Sequence, residues 1–174
     1  MQEVVNNLSM LGNANKANSK PLHIIIGTMP GKESRAGGFF YLSSRNSFWS
    51  IMSRVLNIDF KSLIEAKRYD EVKNLLEENG YILTDVLRKC EIEGSKDSSI
   101  KYGVLNEELN EIIDLLKSGK IEKIFFNGKK AHKLFKQYYK YINESSLIIL
   151  PSSSNANTKT IEWKANIWDR ELRN

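Results

Sequence analysis

Four short apolar runs, rich in β-branched and aromatic residues, alternate with helical patterns along the chain. They are LHIIIG at 22–27, YILTDV at 81–86, IEKIFFN at 121–127 and SLIIL at 146–150. Nearly continuous apolar runs of this length are typical of strands that are covered on both faces, as in a parallel sheet. Because each parallel pair needs a long crossover connection, this alternation constrains the fold more strongly than any other feature of the sequence.

The segments between these runs have apolar residues at three- and four-residue spacing, which indicates amphipathic helices. The helical patterns lie at 47–56, 69–79, 106–119 and 129–142, with Gly80 and Gly119 as helix stops. Right-handed crossovers then predict an α/β fold, a three-layer α/β/α sandwich with a central four-stranded parallel sheet. We interpret residues 21–174 as a single domain and residues 1–20 as a polar, mobile lead-in.

Composition and charge limit the class of protein. The 174 residues are 41% hydrophobic, as in an ordinary globular domain, and the formal net charge of +5 favours an anionic partner such as nucleic acid. The single cysteine, Cys90, excludes an intramolecular disulfide and a cysteine-based zinc or iron–sulfur site. No apolar stretch reaches membrane-spanning length. We therefore expect a cytoplasmic monomer with no metal, no other cofactor and no membrane partner.

Polar or glycine-rich segments follow all four predicted strands. They are GTMPG from Gly27 to Gly31, Asp85 at the end of the second strand, NGKK at 127–130 and PSSSNAN at 151–157. In an open parallel sheet, ligands bind outside the carboxyl ends of the strands. The sequence therefore predicts one cleft at which these four segments meet.

The stretch GTMPGKES does not meet the requirements of a nucleotide-binding P-loop. A P-loop has four residues between its first glycine and the Gly-Lys pair, followed at once by Ser or Thr. Here three residues separate Gly27 from Gly31, and Glu33 stands where a metal-binding hydroxyl is required. Its carboxylate would repel a phosphate, and the glycines at 37 and 38 predict that any helix after the turn is short.

Several polar residues near the predicted cleft have both a structural and a functional interpretation. Asn46, in the block FFYLSSRNSFW, could be a helix N-cap or an amide beside a pocket in which the ring of Tyr41 grips a flat heterocycle. Asp85 could bond a loop or act as a functional carboxylate. Lys129 and Lys130 could form a solvated helix start, or could attract an anion together with the helix N-terminus.

The histidines and the cysteine are weaker candidates for chemistry. His23 lies in an apolar strand and His132 in a helical pattern, and neither has a metal-ligand partner at short spacing. We expect structural roles for both. Cys90 would need a basic neighbour to become a nucleophile, so a Cys-His hydrolase is not favoured.

Taken together, these segments resemble the uracil-DNA glycosylase superfamily, and most closely its DNA-deoxyinosine (hypoxanthine-DNA) glycosylase branch, often called family six. The resemblance covers nearly the whole chain after residue 20. The branch's G-S-M-P-G type turn matches residues 27–31, and its Y-x-x-P-R-N-x-F-W stretch matches residues 41–49, with Ser44 in place of proline. Three further segments match in order: DVLRKCEIEGSKDS at 85–98, FNGKKA at 126–131, and LPSSSNA at 150–156, with Asn155 in place of proline.

The resemblance implies a monofunctional glycosylase that flips a deaminated base out of DNA, cuts its N-glycosidic bond with water and leaves an abasic site. Hypoxanthine is the expected base, with uracil as a second substrate. The family pattern implies catalytic positions at Asn46 and Thr28, and base-binding positions at Tyr41, Asp85, Met29 and Asn127. It implies a wedge loop at 151–157 and DNA contacts at Gly27, Pro30, Gly31, Arg45, Gly128, Lys129, Lys130, Pro151, Ser152, Ser153, Ser154 and Asn155.

Three further positions differ from what other relatives in the superfamily have. Thr28 or Met29 stands where many relatives have an Asp or Asn that orients the attacking water, and Leu150 stands where some have a histidine. Asp85 stands where relatives place the asparagine that reads uracil, and an ionised carboxylate, which only accepts hydrogen bonds, suits the N1–H of hypoxanthine. Two alternatives stay open: a mismatch-type uracil or thymine glycosylase, and a nucleic-acid-binding module without activity.

Overall fold

The four predicted strands form a parallel sheet in the computed structural model, which describes residues 2–11, 21–92 and 100–174. Numbered along the chain, they are β2 (His23–Gly27), β3 (Tyr81–Asp85), β6 (Ile124–Asn127) and β7 (Leu147–Leu150). Their order across the sheet is β3-β2-β6-β7, and all three neighbouring pairs are parallel. The predicted four-stranded parallel sheet is confirmed.

The central strand β2 is covered on both faces. Ile24, Ile25 and Ile26 are each 0% exposed. Successive side chains of a strand point to opposite faces of the sheet, so burial of three in a row requires layers above and below. The helices that flank the sheet supply these layers, which gives the predicted α/β/α sandwich.

The four predicted helices are present as α2 (Phe48–Leu56), α4 (Tyr69–Glu78), α5 (Glu108–Lys117) and α6 (Lys129–Tyr138). The sequence patterns did not predict three others, namely α1 (Lys32–Gly37), α3 (Phe60–Glu65) and α7 (Ile161–Arg173). The helix after the glycine turn is short, as the glycines at 37 and 38 predict. Of the three, α7 is the longest, and it begins at a cap in which the Thr160 hydroxyl accepts a hydrogen bond from the Trp163 N–H at 3.1 Å.

A second sheet has no counterpart among the sequence predictions. It consists of β1 (Gln2–Val5), β4 (Leu87–Ile92) and β5 (Ile100–Leu105), paired antiparallel in the order β1-β4-β5. The sequence of β4, LRKCEI, mixes three charged residues with apolar ones and has no long apolar run. It begins two residues after β3 ends, so only the tertiary fold separates the two strands into different sheets. Residues 93–98 of the DVLRKCEIEGSKDS segment lie outside the described residues.

The expectation of a mobile lead-in is wrong for residues 2–11. β1 pairs with β4, and Val4, Leu8, Met10 and Leu11 are buried in the hydrophobic core. The alternation of Val4, Asn6, Leu8 and Met10 buries every second residue, and the polar residues between them hide this periodicity when only composition is considered. Residues 12–20, the rest of the predicted lead-in, lie outside the described part of the chain.

Asn6 connects the N-terminal segment to β4. It is 0% exposed, its Nδ2 donates to the Leu87 carbonyl at 3.2 Å, and its Oδ1 accepts from the Leu8 N–H at 2.9 Å. Its backbone N–H also donates to the Arg88 carbonyl at 2.7 Å. These bonds pair polar groups that would otherwise be buried at a cost.

We predict that Asn6→Ala lowers the free energy of unfolding by about 1–3 kcal/mol, because it leaves buried polar groups of the backbone unsatisfied. Urea denaturation measures this loss. The neighbouring Asn7 is exposed, so Asn7→Ala is a matched control and should change the free energy of unfolding by less than about 0.5 kcal/mol. Equal effects of the two substitutions would contradict the structural role of Asn6.

Candidate active site

The carboxyl ends of the four parallel strands bring the predicted segments to one edge of the sheet. Gly27 at the end of β2 is opposite Asp85 at the end of β3, and Asn127 at the end of β6 is opposite Leu150 at the end of β7. Ile26 of β2 is opposite Phe126 of β6, which aligns the two pairs. The glycine turn, Asp85, the NGKK segment and the 151–157 loop therefore start side by side, as the sequence predicts.

Gly27 lies against two functional groups. A methyl group added at its Cα would lie 2.3 Å from Asp85 Oδ1 and 2.7 Å from Tyr41 Oη. Both distances are too short for any side chain, so the absence of one at Gly27 lets the carboxylate and the phenol approach the same point of the strand end. Asp85 is only 3% exposed. The structure thus brings together three of the residues that the sequence implicates.

The backbone of the glycine turn is held in place by the residues that follow Asp85. The Val86 N–H donates to the Gly27 carbonyl at 2.9 Å, and the Leu87 N–H donates to the Thr28 carbonyl at 3.1 Å. On the other side, Asn106 Nδ2 donates to the Asp85 carbonyl at 3.0 Å. These hydrogen bonds join the start of the turn to the end of β3.

Tyr41 is held in a special backbone conformation and by ring stacking. Its φ is +55°, in the left-handed region that is uncommon for residues other than glycine. Its ring stacks on Phe48 with centroids 3.9 Å apart and planes at 11°. Because Phe48 covers one face of the Tyr41 ring, only the opposite face could stack on a base.

The environment of the Tyr41 phenol keeps it protonated. Burial raises the pKa of Tyr41 well above its usual range, the negative charge of Asp85 raises it further, and the nearby Asn127 side chain offsets part of the rise. A neutral phenol is a hydrogen-bond donor beside the carboxylate, which accepts. The site therefore presents a donor and an acceptor close together.

Asn46 lies one residue before the N-cap of α2, which is Ser47 and not Asn46 as its structural interpretation has it, but its side chain still bonds the first residue of the helix. Its Oδ1 accepts a hydrogen bond from the Phe48 N–H at 2.9 Å. This bond uses only the oxygen of the amide and leaves the nitrogen, the donor end, outside the contact. The same Phe48 stacks on Tyr41, so a short chain of contacts links the Asn46 amide to the Tyr41 phenol. The capping and pocket interpretations are compatible in this geometry.

The segment before α2 is tied to the 151–157 loop. The Ser47 N–H and the Ser47 hydroxyl both donate to the Ser153 carbonyl, each at 2.9 Å. Asn127 accepts from the Ser153 N–H at 2.8 Å and donates through Nδ2 to Ser153 Oγ at 2.8 Å. Ser153 is 0% exposed. Its side chain is thus used inside the protein, and it holds the loop instead of projecting from it.

The remaining predicted residues differ widely in exposure. Met29 is buried at 5% exposure. Gly27, Pro30 and Gly128 are also buried, while Thr28, Pro151, Ser152 and Ser154 are partly buried. The exposed residues are Gly31, Arg45, Lys129, Lys130 and Asn155. The backbone of Gly128 has a φ of +96° and packs against Ser152. A Cβ added at Gly128 would lie only 2.9 Å from Ser152 Cβ.

The histidines and Cys90 lie away from this edge. His23 is the first residue of β2, at the opposite end of the strand, where its Nε2 lies 2.8 Å from the Leu172 carbonyl and its ring stacks on Tyr81. His132 contacts Glu144 at 3.1 Å, and Cys90 is buried on β4. Within the described ranges, no group of three or more His, Cys, Asp or Glu residues is placed to hold a metal ion. No helix in these ranges is long and apolar enough to cross a membrane.

Comparison with known proteins agrees with this geometry. The sequence profile of the uracil DNA glycosylase superfamily matches residues 14–171. The chain belongs to this superfamily.

Two curated relatives are named hypoxanthine DNA glycosylase. The protein from Methanosarcina barkeri (strain Fusaro / DSM 804) is 27% identical over 147 residues, which are 83% of this chain and 86% of the relative. The protein from Methanosarcina acetivorans is 27% identical over 151 residues, 86% of this chain and 89% of the relative. A solution NMR structure of a uracil DNA glycosylase candidate from M. acetivorans matches with a TM-score of 0.61 at 27% identity, covering 91% of this chain and 95% of that one.

Sequence reasoning missed two residues, Lys164 and Trp168, that hold the 151–157 loop in place. Lys164 on α7 is 3% exposed, and its Nζ donates to the Asn157 carbonyl at 2.8 Å and the Ser154 carbonyl at 3.4 Å. Burial lowers the pKa of Lys164. Trp168 Nε1 donates to the Pro151 carbonyl at 2.8 Å. The spacing of Lys164, Ala165, Trp168 and Leu172 fits one face of a helix, but a lysine on that face gives no sign from sequence that it is buried.

We predict that Gly27→Ala destabilises the protein by about 1–3 kcal/mol, because a methyl group at this position overlaps Asp85 and Tyr41 and must displace them. Urea denaturation of the variant measures the loss. Gly31→Ala is the matched control from the same turn. A methyl group there would lie 3.8 Å from the nearest atom, Glu33 Oε2, and the Gly31 φ of −65° suits any residue. A loss as large for Gly31→Ala would contradict the proposed close approach.

Proposed function

We propose that this protein is a monofunctional DNA glycosylase that excises a deaminated base, preferentially hypoxanthine, and leaves an abasic site. The observation that carries the proposal is the approach of a buried carboxylate, Asp85, and a protonated phenol, Tyr41, to the side-chain-free Gly27 at the carboxyl edge of the sheet. Superfamily membership supports the reaction class, and the names of the two curated relatives support hypoxanthine as the substrate. We include in the proposal a cytoplasmic location, because the single, buried Cys90 suits a reducing compartment. We also propose that the protein is a monomer.

The reaction is the hydrolysis of the bond between C1′ of the sugar and a nitrogen of the base. As that bond breaks, its electron pair moves onto the base, and the sugar gains oxocarbenium character. The oxygen of a water molecule then bonds to C1′ and releases a proton, while the base takes up one. Stabilising the negative charge on the leaving base therefore contributes more than a strong nucleophile does. This matters here because Thr28 and Met29 offer no carboxylate to activate the water.

The amide nitrogen of Asn46 is the group we propose to act on the reacting centre. Its oxygen is held by the Phe48 N–H, so the direction of the nitrogen is set before substrate binds. A preorganised donor of this kind stabilises charge that develops in the transition state at no further cost in reorganisation. Thr28, whose backbone carbonyl is held by the Leu87 N–H, is proposed to help position the water.

Asp85 and Tyr41 are proposed to recognise the Watson–Crick edge of the base. An acceptor beside a donor matches the adjacent N1–H and C6=O groups of hypoxanthine. In a site where both protein groups are buried, a base that left either of them unpaired would be disfavoured. The free face of the Tyr41 ring offers a stacking surface, and Met29 and the Asn127 amide complete the proposed pocket.

The 151–157 loop is proposed to enter the DNA as a wedge. Its base is held by Ser47, Asn127, Lys164 and Trp168, while Asn155 and Ala156 at its tip are exposed. A rigid base and an exposed tip suit a segment that must separate stacked bases, a step that costs a few kcal/mol. The exposed Arg45, Lys129 and Lys130 are the proposed phosphate contacts, and we propose that backbone groups of Gly31, Pro151, Ser152 and Ser154 contribute further contacts to the DNA.

Duplexes that carry inosine, uracil, thymine mismatched with guanine, or xanthine test the proposal. Incubation with the protein followed by alkali reveals abasic sites. We expect the fastest cleavage at inosine. Fastest cleavage at uracil or mismatched thymine would instead identify a mismatch-type glycosylase, and binding without cleavage of any duplex would identify a nucleic-acid-binding module.

Two substitutions at Asn46 separate its capping role from its catalytic role. Asn46→Asp keeps an oxygen for the Phe48 N–H but removes the amide donor, whereas Asn46→Ala removes both. We predict that single-turnover cleavage falls by about two to three orders of magnitude in both variants, as for the loss of one preorganised donor, while Asn46→Asp keeps the melting temperature of the wild type. Ser44→Ala, at an exposed position of the same turn, is the control. Wild-type cleavage by Asn46→Asp would restrict Asn46 to capping.

Asp85→Asn tests base recognition, because it keeps the shape of the side chain and adds two donors. We predict that the ratio of inosine to uracil cleavage falls by about ten- to hundred-fold, since the change puts a donor in place of one carboxylate oxygen in a dry site and gives the amide with which relatives read uracil. Single-turnover rates on both duplexes measure the ratio. If Asp85 has only a structural role, both rates and the melting temperature should fall together while the ratio stays constant.

A further inference from the structure

One of the three tryptophans of the chain is exposed, and it lies beside the 151–157 loop. Trp49 and Trp168 are 4% and 0% exposed, whereas Trp163 is 43% exposed. The Nζ of Lys159 lies 5.6 Å from the centroid of the Trp163 ring. An indole left in water forgoes the stabilisation that burial would give it, so an exposed indole next to a lysine suits a contact surface better than a packing role.

Hydrogen bonds connect the helix turn that carries this ring to the 151–157 loop. The backbone N–H of Trp163 donates a hydrogen bond to the Thr160 hydroxyl at the first turn of α7. The next residue, the buried Lys164, bonds the carbonyls of Ser154 and Asn157. The side chain of Asn157 also donates to the Ser152 carbonyl at 3.0 Å. Lys164 therefore joins the helix turn that carries Trp163 to the loop that carries Asn155, and the Asn157–Ser152 bond closes the loop itself.

The chemistry of the pair matches a nucleic acid strand. An indole face stacks on any base, and a lysine beside it can meet the neighbouring phosphate. The chain has a net charge of +5, and exposed cations near this edge include Arg45, Lys129 and Lys130. A basic, aromatic surface next to the proposed wedge would meet the strand on the side where the wedge unstacks it.

We propose that Trp163 and Lys159 form a second DNA contact, in which the indole stacks on an unpaired base beside the flipped nucleotide and the ammonium group binds an adjacent phosphate. This contact rests on the proposed function, because only a loop that enters DNA would expose such a base. It adds affinity for opened DNA without taking part in the cleavage step. The expected partner is therefore a duplex with a flipped or missing base.

The chain supplies a matched control for this pair. Tyr141 is 65% exposed, and Lys117 Nζ lies 5.3 Å from the centroid of its ring. α6 starts at the carboxyl edge of the sheet with Lys129 and runs for ten residues, a length of about 15 Å, before Tyr141. Lys117 ends α5, shortly before the amino end of β6. The Lys117–Tyr141 pair thus has the same chemistry at the opposite edge.

Fluorescence anisotropy with a labelled duplex containing a stable abasic-site analogue tests the contact. Trp163→Ala should weaken binding by about 5- to 150-fold, the effect of one stacked base, and Trp163→Phe should recover most of it. Lys159→Ala should lower the slope of log K against log salt concentration by about one. Tyr141→Ala should bind as the wild type does. Melting temperatures should stay unchanged, because both rings are exposed.

Quenching of tryptophan fluorescence by acrylamide provides a second measurement on the unmodified protein. Since Trp49 and Trp168 are buried, the accessible fraction reports Trp163, and the abasic duplex should protect it. Unchanged affinity in Trp163→Ala together with unprotected Trp163 would overturn the contact, as would a change in oligomeric state instead of DNA affinity. If cleavage of inosine by the wild type persists in that case, only this inference fails. A wild type that binds and cleaves no duplex would overturn the proposed function as well.

Discussion

The register of β2 between its two neighbours is the constraint on which the candidate site depends. Pairing with β3 puts Gly27 opposite Asp85, and pairing with β6 aligns Ile26 with Phe126 just before Asn127. A slip of one residue would move Gly27 away from Asp85. It would also put His23 or Gly27 into a buried position that an isoleucine now fills, so the burial of the three isoleucines of β2 favours this register. The hydrogen bonds from Val86 and Leu87 extend the same register beyond the strand end into the glycine turn.

The second organising interaction is the polar network around Ser153. Its carbonyl accepts two bonds from Ser47, and its N–H and hydroxyl are both bonded to Asn127. A buried polar residue is stabilising only when its groups are satisfied, and here the pairing links the start of α2, the end of β6 and the 151–157 loop. Lys164 and Trp168 add bonds from α7 to loop carbonyls. The loop is thus rigid at its base, and its exposed tip is short.

Membership of the uracil DNA glycosylase superfamily and the departures from its pattern fit one physical account. With no carboxylate at Thr28 or Met29 and an apolar side chain at Leu150, the proposed mechanism depends on the leaving base more than on activation of water. The protein's own negative charge in the site comes from Asp85, beside a phenol that burial keeps protonated. In the proposed mechanism such a pair recognises the edge of a base through one acceptor and one donor, and a low-polarity environment increases the cost of any mismatch with the base.

The sequence by itself determined the parallel sheet, its four strands, four of the helices and the edge at which the predicted segments meet. These follow from apolar periodicity and from the position of polar residues at strand ends, which are local properties of the chain. The tertiary structure alone decided the second sheet, because β1 and β4 have mixed polar sequences that form strands only by pairing with each other. It also decided that Ser47 is the N-cap of α2 while the Asn46 oxygen bonds the Phe48 N–H, that Ser153 is buried, and that Lys164 supports the loop. Each of these depends on contacts between residues distant in sequence or on which end of a side chain is used, and neither is encoded in local periodicity.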